Sequence, residues 1–274
     1  MIYRDTSDIL INYPTPYISP AITGVRKSCL FYQAAMKEHM LSKILSNKIY
    51  IGDFGWHTGR FHFSFGDYND PENSHFGNLI AFNEFAVKPG SGFETHPHSE
   101  MEIISYCVEG VLTHTDSMGN TNSIARGDMQ FTCAGSGITH SEKNNSPART
   151  LRFVQIWIQP KAVKLPPRYV SCHYTREDRL NKLLLIASGQ KFDGVIQVNQ
   201  ETNIFVFEIE AGKQIQVEQL PAHLFYLACL EGSLRINGLS LQAGDAVKIR
   251  DETALIMSAI EDCHSIIVEI SGSD

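Results

Sequence analysis

The stretch Glu109-Gly110-Val111-Leu112, then a turn at Gly119-Asn120, then Gly127-Asp128, reads as strand, hairpin, strand and tight Gly-Asp turn. The same order returns downstream. Glu231-Gly232-Ser233-Leu234 is followed by a turn at Asn237-Gly238 and then by Gly244-Asp245. One β unit written twice in a chain of 274 residues predicts two tandem β domains. Pro160, Pro166 and Pro167 mark the connection out of the first copy.

The rest of the chain from about Lys48 agrees. Phe61-His62-Phe63-Ser64-Phe65 alternates, and Leu151-Arg152-Phe153-Val154-Gln155-Ile156-Trp157-Ile158 alternates before turning apolar. Ile204 to Ile209 and Ser265 to Ile270 are rich in β-branched and aromatic residues. Lys88-Pro89-Gly90, Met118-Gly119-Asn120, Arg126-Gly127-Asp128 and Ala243-Gly244-Asp245 punctuate the strands as turns. Many short strands with frequent turns predict an all-β sandwich or barrel. Residues 1–45 differ. Pro14, Pro16 and Pro20 break up the first part, and the spacing of Leu30, Ala34, Met40, Leu41, Ile44 and Leu45 predicts a helix within Val25 to Leu45. The expected division is an N-terminal extension (1–45), a first β domain (46–165) and a second (166–274).

Composition narrows the function classes. Hydrophobic residues make up 43% and charged residues 19%, which places the chain among folded globular proteins. A net charge of -7 without a Lys/Arg cluster argues against direct nucleic-acid binding. No apolar run is long enough to span a bilayer, and the start Met1-Ile2-Tyr3-Arg4-Asp5 does not read as a secretory signal. The six cysteines lack Cys-x-x-Cys spacing, so reduced, buried thiols in the cytoplasm are expected.

The chemistry concentrates in two short segments, His96-Pro97-His98 and His140-Ser141-Glu142. An i, i+2 spacing on a strand puts both side chains on one face. Two such strands side by side would aim three imidazoles and a carboxylate at one point, a ligand set for a divalent transition metal. Glu100 and Glu102 share strand parity with His96 and His98 and compete for the carboxylate role, and Glu102 could also orient an imidazole. Cys107 and Cys133 are close enough in sequence to line the cavity, although inert buried thiols are the default. Phe93, Met101 and Phe131 are candidates for an apolar wall. His114 and Asp116 look like a triad fragment without a serine elbow, and their place beside a hairpin turn accounts for their polarity. Counting offsets from Gly110 to Gly232 and from Gly127 to Gly244 sets Glu218, Leu220, Met257 and Ala259 opposite His96, His98, His140 and Glu142. The second domain is therefore expected to hold no metal, and His223 and His264 to be structural or surface residues.

These segments resemble the two motifs of the cupin superfamily, although the second departs from the usual spacing by two residues before its histidine. The resemblance is closer to the pirin family. Gly92-Phe93-Glu94-Thr95-His96-Pro97-His98, Met101-Glu102-Ile103, Tyr106 and Glu109-Gly110 match its first motif. His114-x-Asp116-Ser117-Met118-Gly119-Asn120 follows, and Ala134-Gly135-Ser136-Gly137-Ile138-Thr139-His140-Ser141-Glu142 matches the second. Phe63-Ser64-Phe65, Gln155-Ile156-Trp157-Ile158 and Pro167-Arg168-Tyr169 extend the match over about Gly55 to Tyr169. Where the family has Trp-His-Thr ahead of Phe63, this chain has Arg60-Phe61-His62.

The resemblance implies an all-β fold of two tandem cupin (double-stranded β-helix, jelly-roll) barrels behind a partly helical N-terminal extension. It implies a metal held by His96, His98, His140 and Glu142. Iron(II) comes first, while manganese, nickel, cobalt, copper and zinc are also accepted by such a set. Bacterial pirins are similar to quercetin 2,3-dioxygenases, which implies an oxygenase acting on a small aromatic, flavonol-type substrate. Glu142 is then both ligand and catalytic proton acceptor. The alternative implied by other pirins is a metal- and redox-dependent regulator that binds a transcription factor or a metabolic enzyme. A structural zinc is a third reading, disfavoured if the four ligands lie open to solvent.

Overall fold

The computed structural model describes residues 40–218 and 223–271. The strands are, in chain order, β1 (Leu41–Ile44), β2 (Tyr50–Asp53), β3 (His57–Phe61), β4 (Leu79–Val87), β5 (Gly92–His98), β6 (Glu102–Glu109), β7 (Val111–Asp116), β8 (Thr121–Ala125), β9 (Met129–Cys133) and β10 (Ile138–Lys143). They continue as β11 (Leu151–Ile158), β12 (Arg168–Cys172), β13 (Leu184–Ser188), β14 (Ile196–Gln197), β15 (Thr202–Ile209), β16 (Gln214–Glu218), β17 (Leu224–Ile236), β18 (Leu239–Gln242), β19 (Ala246–Ile249) and β20 (Ala254–Ile270). Two single turns of 3-10 helix, Ser46–Lys48 and Pro71–Asn73, interrupt them. Among the described residues no helix is long and apolar enough to cross a membrane.

The chain divides into two compact units. Asn47–Arg179 and Leu184–Phe205 form one, and residues 40–46, 180–183 and 206–271 belong to the other. The first unit is built on a seven-stranded sheet ordered β12-β9-β6-β11-β4-β3-β2 and a four-stranded sheet ordered β5-β10-β7-β8. β6 lies mid-sheet, between β9 and β11, and reads Glu-Ile-Ile-Ser-Tyr-Cys-Val-Glu with every residue but the last buried. A strand covered on both faces needs such a run rather than alternation. β10 lies between β5 and β7 and does alternate, with Ile138, His140 and Glu142 buried and Thr139, Ser141 and Lys143 more open. Its outer face is therefore solvated and its inner face is core.

The second unit orders its strands β1-β19-β17-β20, with β16 paired to β20 and β18 to β17. Leu41–Ile44 runs antiparallel to β19, so the end of the segment expected to be helical is a strand. The open edge of β19 supplies ladder partners worth more than the weak helical periodicity there. Residues 25–39 of the expected helix lie outside the described residues. The alternating run Phe61 to Phe65 also ends early, at Phe61, because Phe65 turns to form an isolated bridge with Tyr68.

The internal repeat is repeated hydrogen bond by hydrogen bond. Gly127 N–H donates to Cys107 O at 2.8 Å and Gly244 N–H to Cys229 O at 2.7 Å. Cys107 and Cys229 N–H donate to the carbonyls of Asp128 and Asp245, each at 3.0 Å. The carboxylates of those aspartates close the same turn, Asp128 accepting from Ala125 N–H and Asp245 from Gln242 N–H. Strand pairing then gives the equivalences that counting approximated. His140 pairs with His96 and Asp116, and Met257 with Ile215 and Ile236. Ile138 pairs with His98 and Leu255 with Val217, while Glu142 pairs with His114 and Ala259 with Leu234. Ile215 and Val217 thus stand where His96 and His98 stand, in place of the counted Glu218 and Leu220, because the loop between strand and glycine differs in length. Glu218 pairs with Ala254 instead, and Leu220 lies outside the described residues.

Two glycines of the second repeat, Gly232 within β17 and Gly238 in the turn after it, separate backbone freedom from space. Gly232 has φ +70 and a Cβ there would lie 1.9 Å from the Asp262 carbonyl oxygen, whereas Gly238 has φ +88 and open space. Gly238→Ala should therefore cost about 1–2 kcal/mol, the left-handed backbone penalty alone. Gly232→Ala should cost about 2–5 kcal/mol, because overpacking adds to it. Urea unfolding of both variants checks the order, and equal costs would contradict it.

Candidate metal centre

The four-stranded sheet carries the polar residues of the site on its inner face. β5 brings His96 and His98, β10 brings His140 and Glu142, and β7 brings His114 and Asp116. The register between β5 and β10 shifts between His140, which faces His96, and Glu142, which faces Phe93. Three steps on β5 match two on β10, a β-bulge that turns Phe93 inward as well as His96.

The rings of His96, His98 and His140 form a near-equilateral triangle with centroids 4.7, 4.7 and 4.8 Å apart. Their ligand nitrogens lie within 4.8 Å of one another. His96 Nδ1 is 2.6 Å from the Glu94 carbonyl oxygen, which only a protonated Nδ1 can satisfy, so Nε2 is left bare. His140 is 1% exposed and its Nε2 is buried with no hydrogen-bond partner. An orphaned imidazole nitrogen beside two more imidazoles is what a missing ligand bond leaves behind. The donor set fits a transition metal. A second trio of His114, His140 and Glu142 meets the same distance limit, so Glu142 lies beside His140 on the side towards His114.

Burial and mutual repulsion hold two of these imidazoles, His98 and His140, below the usual histidine range. Loss of water, then the neighbouring His140 and His96, pushes His98 down to about 4. Loss of water, then His96 and His114, pushes His140 down to about 3. Burial pushes Glu142 up, against the pull of His114, Ser105 and the other imidazoles.

The facing sheet answers the Glu142 carboxylate. Gln130 on β9, Ser105 on β6 and Gln155 on β11 are in register, forming one polar row across three apolar strands. Gln130 Nε2 donates to Oε1 at 2.7 Å, Ser105 Oγ to Oε1 at 3.1 Å and Gln155 Nε2 to Oε2 at 2.8 Å. Tyr169 O–H donates to Gln130 Oε1 at 3.2 Å, and Trp157 Nε1–H donates to Gln155 Oε1 at 2.9 Å. Each amide oxygen is thereby occupied by a donor, so each NH2 must turn to Glu142. Sequence reasoning missed this row. Its signal was three polar residues at inward positions of otherwise apolar strands.

The rival carboxylates face elsewhere. Glu102 is fully buried but lies on the outer side of β6, where it accepts from Asn199 N–H and Nδ2. Glu100 accepts from the backbone of Lys164. Cys107 bonds the carbonyls of Glu109 and Gly110, and burial raises its thiol to about 12. Burial likewise raises Cys133. Phe131 alternates with Gln130 and packs on the opposite face under the Arg168 guanidinium, 4.9 Å away. In the second unit His223 pairs with Glu269 and His264 with Glu231, each at separate points.

Aromatic walls flank the imidazoles. Trp157 meets His98 edge-on at 5.0 Å, and Phe93 meets His96 at 6.4 Å. Trp56 and His57, which precede the Arg60-Phe61-His62 that replaces the family's Trp-His-Thr, pack against Phe93 at 4.9 and 5.0 Å. A cleft of about 620 Å³ lined by Trp56, Phe93, His96 and Lys143 opens on one side of Phe93, and one of about 380 Å³ lined by Tyr50, His57, Phe65 and Tyr68 on the other.

The family model described as Pirin matches residues 45–158, and that described as Quercetinase C-terminal cupin domain matches 185–270. A pirin-like protein of Caulobacter vibrioides is 35% identical, over 84% of this chain and 99% of its own length. A quercetin 2,3-dioxygenase of Escherichia coli is 34% identical, over 78% of this chain and 90% of its own. The crystal structure of a bacterial pirin from Escherichia coli in complex with nickel(II) superposes with a TM-score of 0.79 at 30% identity, covering 84% of this chain and 99% of that one.

The depressed histidines predict an acid-sensitive apoprotein. Between about pH 3 and 6.5 the unfolded chain binds protons that the folded one refuses, so stability rises with pH there and falls on acidification. The melting temperature of metal-free protein should drop between pH 7 and 4. His140→Met, which copies Met257 of the second unit, should flatten that drop, and an unchanged slope would contradict the burial argument.

Proposed function

The chain belongs to the pirin family, and from that premise we propose that it is a metal-dependent 2,3-dioxygenase of quercetin-like flavonols, with His96, His98, His140 and Glu142 holding one divalent ion. The observation that carries this reading is the bare, buried Nε2 of His140 between His96 and His98. Iron(II) is the proposed occupant, and the donor set also accepts the neighbouring divalent metals. The bound ion would supply Lewis-acid and one-electron chemistry at that point.

The chain's own residues have separable tasks. Trp56, Phe93 and Trp157 offer apolar faces for a planar aromatic substrate beside the imidazoles. Glu142 is the proposed acceptor of the substrate's hydroxyl proton. Gln130, Ser105 and Gln155 keep its oxygens in place and leave them only acceptor roles. None of the five described cysteines is in a disulfide, which supports a cytoplasmic setting.

Anaerobic loading with iron(II), then quercetin, then air is the test. Flavonol absorbance should decay. His98→Ala should abolish the decay by loss of the ion, and Glu142→Gln should slow it at least about 100-fold. Stable absorbance with iron verified in the site would sink the dioxygenase reading.

A further inference from the structure

We propose that Asp116 and His114 form a hydrogen-bond chain that sets the tautomer of His140 and so aims its Nε2 at the ion. This rests on His140 being a ligand, as in the function proposed above. In the sequence His114 is a polar residue near a hairpin turn. In the structure it is fully buried and lies flat on Tyr169, with ring centroids 4.3 Å apart and planes 14° apart.

Donor counting gives the chain a direction. Asp116 Oδ1 accepts from the backbone N–H of Met118 and Asn120 and from Asn120 Nδ2, and Oδ2 accepts from Asn120 Nδ2. A carboxylate so arranged can only accept. His114 Nε2, 3.1 Å from Asp116 Oδ2, must therefore carry its proton and donate. A neutral His114 then has a bare Nδ1. That nitrogen faces His140 Nδ1 at 3.4 Å, so His140 must carry its proton there. Nε2 of His140 is left bare, and that is the buried atom without a partner. The opposite direction would bury an N–H at Nε2 with no acceptor, a cost of about 1–3 kcal/mol.

The second unit is an internal comparison. Where His114, Asp116 and His140 stand, it has Leu234, Ile236 and Met257, all buried. The repeat folds without the chain, so ligand and chain go together and neither is required by the strand framework. His114 also ties the two sides of the site. Its stacking partner Tyr169 bonds Gln130, which bonds Glu142.

Histidine-labelled metal-free protein at pH 7 gives the direct test, by long-range proton–nitrogen correlation. His140 should carry hydrogen on Nδ1 with Nε2 bare, and His114 on Nε2 with Nδ1 bare. A His140 protonated at Nε2 would overturn the proposal. His114→Gln keeps one acceptor and one donor, while His114→Phe keeps the ring stack and neither. In chelator competition for nickel(II), His114→Phe should weaken binding about 10–100-fold. His114→Gln should recover most of that loss. X-ray absorption should count the same imidazoles in wild type and both variants. Unchanged affinity in His114→Phe, or one imidazole fewer in both variants, would overturn the proposal, the latter by making His114 a ligand. The tautomers are read without turnover, so a wild type with these tautomers and no quercetin decay would sink the dioxygenase reading and leave this one standing.

Discussion

The first unit is organised around one buried carboxylate. Glu142 is 2% exposed, and an ionised group without water or partners is among the least tolerable things a protein interior can hold. Its solution spans both sheets. The carboxylate comes from β10, and its three donors come from one row across β9, β6 and β11. That row constrains register. A one-residue slip of any of these strands would turn its donor to the far face and leave the charge unanswered. The same bonds hold Glu142 beside His140, so what pins the sheets together also assembles the site.

The second unit shows what the fold needs without the chemistry. It repeats the turn of the first bond for bond, down to cysteine thiols that reach the carbonyls of the following Glu and Gly. Yet Ile215, Val217, Leu234, Met257 and Ala259 fill the positions of His96, His98, His114, His140 and Glu142. Apolar side chains close that interior by burial alone, at about 25 cal/mol per Å². The first unit gives up that simple packing for a polar cluster in which His140 Nε2 stays buried without a hydrogen-bond partner. Function here is a set of substitutions on a framework that folds either way.

Much of the architecture was legible early because its signals are local. The strand Leu151 to Ile158 and the two Gly-Asp turns rest on residues whose preferences act within a few positions. His96 and His98 share a face for the same reason. The strand at Leu41–Ile44 was not legible, because its cause is a distant edge on β19. Nor was the exclusion of Glu102, which has the right parity for a single alternating run but points outward on β6, towards Asn199. A loop of different length likewise displaced the counted equivalents of His96 and His98.

By itself, then, the sequence determined the all-β class and the duplication, and it picked out His96, His98, His140 and Glu142 as candidate ligands. Each follows from residue type and short-range spacing. Only the tertiary structure decided which groups surround them. Ser105, Gln130 and Gln155 meet Glu142 because strands far apart in sequence are laid in register, and His114 meets His140 because β7 pairs with β10. Hydrogen bonds are directional and end within about 3.5 Å. Which atoms come that close is a property of the folded sheets and not of the order of the letters.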